Sequence, residues 1–261
     1  MLGFLFFLSI LFFIIIPYLL GSIPFGLIIA KTKHVDITKL GSGGIGATNV
    51  TRNTSGKLGA LTLFFDFIKG YIAVLFSVLI FHLLVVYNQQ FFSHLFTIAY
   101  ISSFFAILGH CFSIFIKFKG GKGVGTSGGV ILAISPSLFL VVSVILIIIF
   151  LGFKIVSLSS LIAAGFVGTL CFIPWLNYYY LQLINEHYVY FHNILELSTL
   201  TYFNVLGSSI ILFLSMVLVI IKHKQNITRL LKKKERIFQV GKDDLNQENI
   251  NKHQKEIRNE K

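Results

Sequence analysis

The sequence predicts an all-α integral membrane protein of about seven transmembrane or re-entrant helices, with its N-terminus outside and its C-terminus cytoplasmic. Three observations predict it. Of 261 residues, 55% are hydrophobic and 12% charged, at a mean hydropathy of +0.83, which excludes an ordinary water-soluble globular domain. The 22 Lys and Arg against 10 Asp and Glu are not spread over one face: none occurs in 1–30, 70–116, 123–153 or 155–221, and twelve lie from Lys222 onward. Short cytoplasmic loops collect basic residues and external loops avoid them, so this spacing is topological and excludes a nucleic-acid-binding face.

The first thirty residues carry no charge, and their apolar run far exceeds the ~7–15-residue core of a signal peptide. They read as a retained span that delivers the chain to the cytoplasm at Lys31. Residues 58–86 and 95–116 form an out-and-back pair around Tyr87, Asn88, Gln89 and Gln90. The stretch 123–153 is too short for two full spans of ~20 residues, yet a single one would put the basic tail outside. Proline at Ser135-Pro136-Ser137 offers a break, so a short or re-entrant helix is expected at 125–135 and a span at 136–153. This division leans on Lys154, and six segments is the alternative. Runs near 155–176 and 204–221 flank an external segment, residues 177–204, that has Glu but no Lys or Arg. The membrane domain is expected to occupy 1–238, followed by a disordered polar cytoplasmic tail at 239–261. No internal repeat is visible. Cys111 and Cys171 are too few for a disulfide framework or a four-ligand zinc site, and His187 and His192 are poorly spaced for a metal; no metal or cofactor is expected.

Three motifs fall on the cytoplasmic side. In the first, Gly41 to Arg52, glycines let successive N–H groups converge on an anion, Ser42, Thr48 and Asn49 add short donors, and Arg52 adds a two-pronged one. Its G-x-G-x-x-G spacing is not a dinucleotide site, because an apolar span and not a βαβ unit surrounds it. The second joins Gly109-His110-Cys111-Phe112 to Lys119-Gly120-Gly121-Lys122-Gly123, where lysines and glycines suit an oxyanion at a helix start. Gly123 after Lys122 excludes a Walker A loop. In the third, His223, Asn226 and Arg229 follow one another at spacings of three on a helix leaving the membrane, positioned to meet one phosphate, while Lys232, Lys233 and Lys234 suit anionic lipid. Asp66 and Lys69, at i and i+3 inside an apolar helix, are expected to pair. Val156-Ser157-Leu158-Ser159-Ser160 either caps a helix or lines the site. Convergence of these loops would make one anionic pocket at the membrane surface, with apolar helices beside it for an acyl chain.

GSGGIGATNVTR, GHCFSIFIKFKGGKGVGT and HKQNITRLLKKKE resemble the three signature regions of the bacterial acyl-phosphate:glycerol-3-phosphate acyltransferases, and LLGSIPFGLIIAK, DFIKG and VSLSS resemble their flanking segments. The likeness covers about residues 18–238. It implies a seven-helix fold in the bacterial cytoplasmic (inner) membrane with its active site facing the cytoplasm. It also implies acyl transfer from acyl phosphate to the 1-hydroxyl of sn-glycerol 3-phosphate, giving lysophosphatidic acid and phosphate, the first step of phospholipid synthesis. The soluble enzyme that makes acyl phosphate is then an expected partner. Departures are Gly44 for the usual Asn, Ser113 for a common proline, and Lys233 and Lys234 for small residues. The H-x-x-x-x-D signature of other glycerolipid acyltransferases is absent from all eight histidines. The expected arrangement has Ser42, Thr48, Asn49, Arg52 and Lys119 on one phosphate and Lys122, His223, Asn226 and Arg229 on the other, with Gly43, Gly44, Gly120, Gly121 and Gly123 lending backbone. A substrate phosphate oxygen, or in reserve His110, would accept the hydroxyl proton; Arg52 and Lys119 would stabilise developing charge. Two other classes compete: a transporter of phosphorylated metabolites, which would place its site near the midplane between repeats, and a non-enzymatic lipid-binding anchor built on the basic tail.

Overall fold

A computed structural model of the chain describes residues 11–87, 96–172 and 202–238, together with Phe4, Phe7 and Leu8; residues 177–201 of the segment expected to be external, with His187 and His192, and the tail from 239 lie outside the described residues. Every regular element described is helical. A π-helical turn at Leu11–Ile15 leads into α1 (Ile16–Ser22), and α2 (Phe25–Lys31) continues it after a break at Ile23. Pro24 causes that break, since proline has no N–H to give the preceding turn. The span expected at 1–30 is found over Leu11–Lys31, built of short helical pieces in line.

After a 3-10 turn at Ile37–Lys39 and α3 (Ala47–Asn53), α4 (Gly56–Tyr87) runs for 32 residues, about 48 Å at 1.5 Å per residue, longer than the ~30 Å hydrocarbon core. It then gives way to α5 (Phe96–Cys111) and a 3-10 turn at Ile114–Ile116. Next come α6 (Val124–Ile134) and α7 (Pro136–Phe153), divided at Ser135. There the expected proline break is found, with Ser135 Oγ accepting the Leu138 N–H (3.3 Å) to cap α7. At 11 residues, α6 is about 16 Å long and crosses about half of a bilayer core. The last helices are α8 (Val156–Leu170), α9 (Tyr202–Lys222) and α10 (Lys224–Leu231), the final two bent by 58° at His223.

Polarity runs opposite to that of a water-soluble core. Leu140, Val144, Ile148 and Leu151 form one stripe of α7, each 55–67% exposed, while Ser22, Ser77, Ser102, Ser103, Thr126 and Ser215 are 0% exposed. An outward apolar stripe around inward hydroxyls fits lipid as the solvent and conflicts with water. Leu11–Lys31 and Gly56–Phe81 are each long and apolar enough to cross a membrane, and the bent pair ending in α10 can supply a third. Close packing rests on small residues, as between membrane helices generally. A Cβ on Gly70 would overlap the Thr126 carbonyl and one on Gly129 the Phe67 carbonyl, so α4 and α6 touch backbone to backbone; Gly21 and Gly109 do the same for α1 and α5. A cavity of about 90 Å³ opens beside α6, lined by Val124, Ile131, Phe139, Val167 and Met216 with Ser127 among them.

Candidate active site

The first glycine-rich loop precedes α3. Gly41 and Gly43 take left-handed φ values of +59° and +68°, which a side chain would strain, and the turn they make wraps around Asn49. Asn49 Oδ1 accepts the Ser42 N–H (3.1 Å), while its Nδ2 donates to the carbonyls of Gly44 (2.7 Å), Leu40 (3.1 Å) and Ile37 (3.3 Å). The Asn49 side chain thus faces the loop's own backbone. One helical turn on, at i+3 and i+4 from Asn49 and Thr48, stands half-buried Arg52. Ser42 and Gly43 are exposed, and Gly44 and Thr48 half-buried.

The connection from α5 to α6, Phe112 to Gly123, which carries the second loop, is tied to α1 at its start by Tyr18 Oη, which donates to the Phe112 carbonyl (2.8 Å), and by Ser113 Oγ, which donates to the Ser22 carbonyl. Gly121 N–H donates to the His110 carbonyl (3.0 Å), and Gly123 at φ +87° turns the chain into α6. His110 is 3% exposed, with Nδ1 3.4 Å from Asp66 Oδ1 and the Nε2 side against Gly121. Asp66 and Lys69 pair at 2.8 Å, as their spacing implied.

The third motif curls back on itself. Glu235 accepts from Asn226 Nδ2 (2.7 Å) and Ser157 Oγ (2.9 Å) at Oε1 and from Arg229 Nε (2.7 Å) at Oε2, which ties α10 to the start of α8. Burial alone would raise the Glu235 carboxyl, but the hydrogen bonds from Arg229, Asn226 and Ser157 outweigh it and hold it below its ordinary value. His223 and Asn226 are both buried, and His223 Nδ1 is bonded to the Val219 carbonyl (2.8 Å). A carbonyl only accepts, so the proton sits on Nδ1 and Nε2 keeps a lone pair. Burial, with Lys122 adding to it, pushes His223 down to about 4, and the ring is neutral near pH 7.

Electrostatics join the three motifs. Burial draws the Lys122 ammonium down to about 8; the Arg229 and Arg52 charges push the same way, and Glu235 opposes them. Residues from α3, the second loop and α10 therefore share one neighbourhood in which Arg52, Lys122 and Arg229 outnumber the single carboxylate. Lys119, by contrast, is exposed and is not among the charges that act on Lys122. Among the described residues, five buried side-chain polar atoms have no hydrogen-bond partner: Thr126 Oγ1 and Ser127 Oγ in the first turn of α6, Asn226 Oδ1, and Asp66 Oδ1 and His110 Nδ1, which face each other at 3.4 Å. Sequence reasoning left the role of Glu235 open and left Ser157 between capping and lining; the contact between them spans 78 positions and has no local signature.

The sequence model of the glycerol-3-phosphate acyltransferase family matches residues 11–233, a stretch that contains the first two motifs and the third as far as Lys233. The chain belongs to that family. Among its relatives, the glycerol-3-phosphate acyltransferase of Malacoplasma penetrans is 34% identical over 253 residues (87% of this chain, 93% of the relative), and that of Aquifex aeolicus 37% identical over 232 residues (87% and 98%). Crystal structures of PlsY, an integral membrane glycerol 3-phosphate acyltransferase, superpose with a TM-score of 0.64 for the glycerol 3-phosphate form and 0.63 for the lysophosphatidic acid form. They are 36% and 34% identical to this chain and cover 88% of it and 96% of their own length. This glycerol-3-phosphate acyltransferase is thus an all-helical integral membrane enzyme of a bacterial family, and the convergent basic motifs are its candidate active site.

Proposed function

We propose that this acyltransferase takes acyl phosphate as its donor and the 1-hydroxyl of sn-glycerol 3-phosphate as its acceptor, at the cytoplasmic face of the bacterial inner membrane. The observation that carries the reading is that Arg52 and Arg229, from two separated motifs, both act on Lys122 of a third, with Glu235 paired to Arg229 in the same neighbourhood. Both substrates bear phosphate, and two phosphates need such a density of positive charge. An acyl phosphate is a mixed anhydride and arrives activated, so the protein's tasks are to align two anions and stabilise developing charge. The acceptor oxygen bonds to the acyl carbon, the carbon–oxygen bond to phosphate breaks, phosphate leaves with the electron pair, and the hydroxyl proton passes to a substrate phosphate oxygen. No acylated residue is needed.

In this scheme Ser42, Thr48, Arg52 and the Gly43 and Gly44 backbone face one phosphate with Lys119, while Lys122, Asn226 and Arg229 face the other with Gly120, Gly121 and Gly123. Asn49 serves the site by holding the first loop. His223, neutral, is suited to accept a hydrogen bond from a substrate hydroxyl at Nε2. The cavity beside α6 begins at Val124, directly after Gly123, and its apolar lining suits the acyl chain. Seven membrane segments with the N-terminus outside put the three motifs on the cytoplasmic side, where the enzyme that makes acyl phosphate would deliver it.

The test is reconstitution of the purified protein in lipid with radiolabelled glycerol 3-phosphate, and acyl phosphate, acyl coenzyme A or acyl carrier protein thioester as donor. Lysophosphatidic acid is expected from acyl phosphate alone, and an Arg52→Ala variant is expected to lose it. Product from a thioester but not from acyl phosphate would overturn the donor assignment.

A further inference from the structure

Beneath the second loop lies a row of buried polar groups that the acyl-transfer steps do not use. Lys69, 4% exposed, donates to the Ile23 carbonyl at the Pro24 break (2.8 Å) and pairs with Asp66 Oδ1 (2.8 Å). The same Asp66 oxygen lies 3.4 Å from His110 Nδ1, so this edge of the imidazole faces the carboxylate without a hydrogen bond between them. His110 in turn carries the loop. Its carbonyl accepts the Gly121 N–H (3.0 Å), a Cβ on Gly120 would overlap that carbonyl, and a Cβ on Gly121 would overlap Nε2. The loop therefore rests on the histidine with no atom to spare, and the residue after Gly121 is Lys122.

Ionised groups inside an apolar helix are expensive, and an apolar pair of the same volume often packs as stably as an ion pair. Strength of packing thus does not by itself account for Asp66 and Lys69, and the group their carboxylate faces is His110. We propose that His110, oriented by Asp66 and Lys69, is a positioning residue that acts through Gly121 to set where Lys122 meets a substrate phosphate. The proposal rests on the reading that this loop holds a substrate phosphate. It replaces the proton-acceptor role that the sequence held in reserve for this residue, because both the ring and the carbonyl of His110 serve the loop.

Initial rates of the full-length protein in lipid vesicles, with acyl phosphate and glycerol 3-phosphate each varied, separate the two roles. Glutamine has an amide near the position of Nε2 but nothing that titrates near pH 7, so His110→Gln is expected to raise KM about tenfold for one phosphate substrate with kcat within about threefold. A kcat about a hundredfold lower at unchanged KM would mean that the ring moves a proton, and would overturn the proposal. A second pair does not depend on how Gln fits. Gly121→Ala is expected to abolish turnover by clash with the ring, and adding His110→Ser is expected to return at least about tenfold of the lost kcat/KM. A double variant no more active than Gly121→Ala sinks the idea. Lys122→Ala tells the failures apart: KM unchanged there refutes phosphate binding by the loop itself, whereas KM raised there with no rescue in the double variant refutes only the positioning role.

Discussion

The two glycine-rich loops have similar compositions and are held in different ways. The first is organised by one side chain, Asn49, whose amide bonds to backbone groups no more than 12 residues away, in a loop whose Ser42 and Gly43 are exposed. The second rests on a histidine facing a charge pair inside α4 that is bonded, through Lys69, to a broken turn 46 residues earlier. Local hydrogen bonds in reach of water can be partly replaced by water. A desolvated charge cannot be rehydrated without opening the bundle. The first loop is therefore expected to fail locally and the second to fail with the whole fold.

Asp66→Ala tests the contrast hardest. It leaves the Lys69 ammonium buried without its carboxylate, and removing one partner of a buried pair costs about 3–5 kcal/mol. Thermal unfolding in lipid should show the loss across the whole molecule, and Asp66→Leu with Lys69→Met should recover most of it. If Asp66→Ala unfolds at the wild-type temperature, the second loop is no more globally supported than the first. Asn49→Ala comes next. It removes the partner of the Ser42 N–H and the Gly44 carbonyl and one acceptor of the Asn53 amide, while the Leu40 and Ile37 carbonyls keep the N–H groups of Gly43 and Leu40. The cost is about 1–3 kcal/mol for a buried group left unsatisfied and less where water enters. The expected signature is a raised KM and proteolytic sensitivity confined to residues 41–46, with the unfolding temperature little changed; a collapse as large as that of Asp66→Ala would erase the distinction.

What the sequence discloses follows the same division between local and distant causes. The end of α6 at Ser135 was readable because proline acts on its own turn, and the Asp66–Lys69 pairing because i, i+3 neighbours in an apolar helix have few other partners. The charge pattern of the loops pointed to three motifs meeting, and Arg52, Lys122 and Arg229 from those motifs do share one neighbourhood. The break at Ile23 was not read, although Pro24 stands there, because the apolar run hides it. Residue type pointed to Asn49 as a donor but carried no information on direction, and its amide turns inward. Glu235 meeting Ser157 and His110 lying under Gly121 are products of tertiary packing, with no period or spacing to announce them.

A third test uses pH at the place where the motifs meet. The free-site Lys122 ammonium titrates at about 8, and an anionic phosphate beside it favours the charged form, so its pKa rises on binding. Affinity that depends on this charge is complete below about 8 and declines as pH rises above it, up to about tenfold per unit until the bound amine also deprotonates. KM for one phosphate substrate should show that slope, and Lys122→Arg, which stays charged throughout, should flatten it. An unchanged slope in the arginine variant would move the titration to another group.

The smallest effect belongs to the third motif, which combines the two modes of support. Glu235 is reached by local partners, Asn226 and Arg229, and by a distant one, Ser157. Removing Ser157 Oγ leaves two of three hydrogen bonds, so Ser157→Ala should cost about 1 kcal/mol, and less if Arg229 follows the carboxylate. The folded-state pKa of Glu235 lies below its ordinary 4.5, so the tether is fully present above that value and is lost as pH falls through the lower folded one. Activity near neutrality is expected to be insensitive to this titration. If the distant bond matters only for docking α10 on α8, Ser157→Ala will lower the unfolding temperature slightly at pH 7 and leave both KM values alone. A raised KM would instead mean that this single contact aligns Arg229 on its phosphate, and the third motif would then resemble the second loop, where distant packing sets the position of a charge.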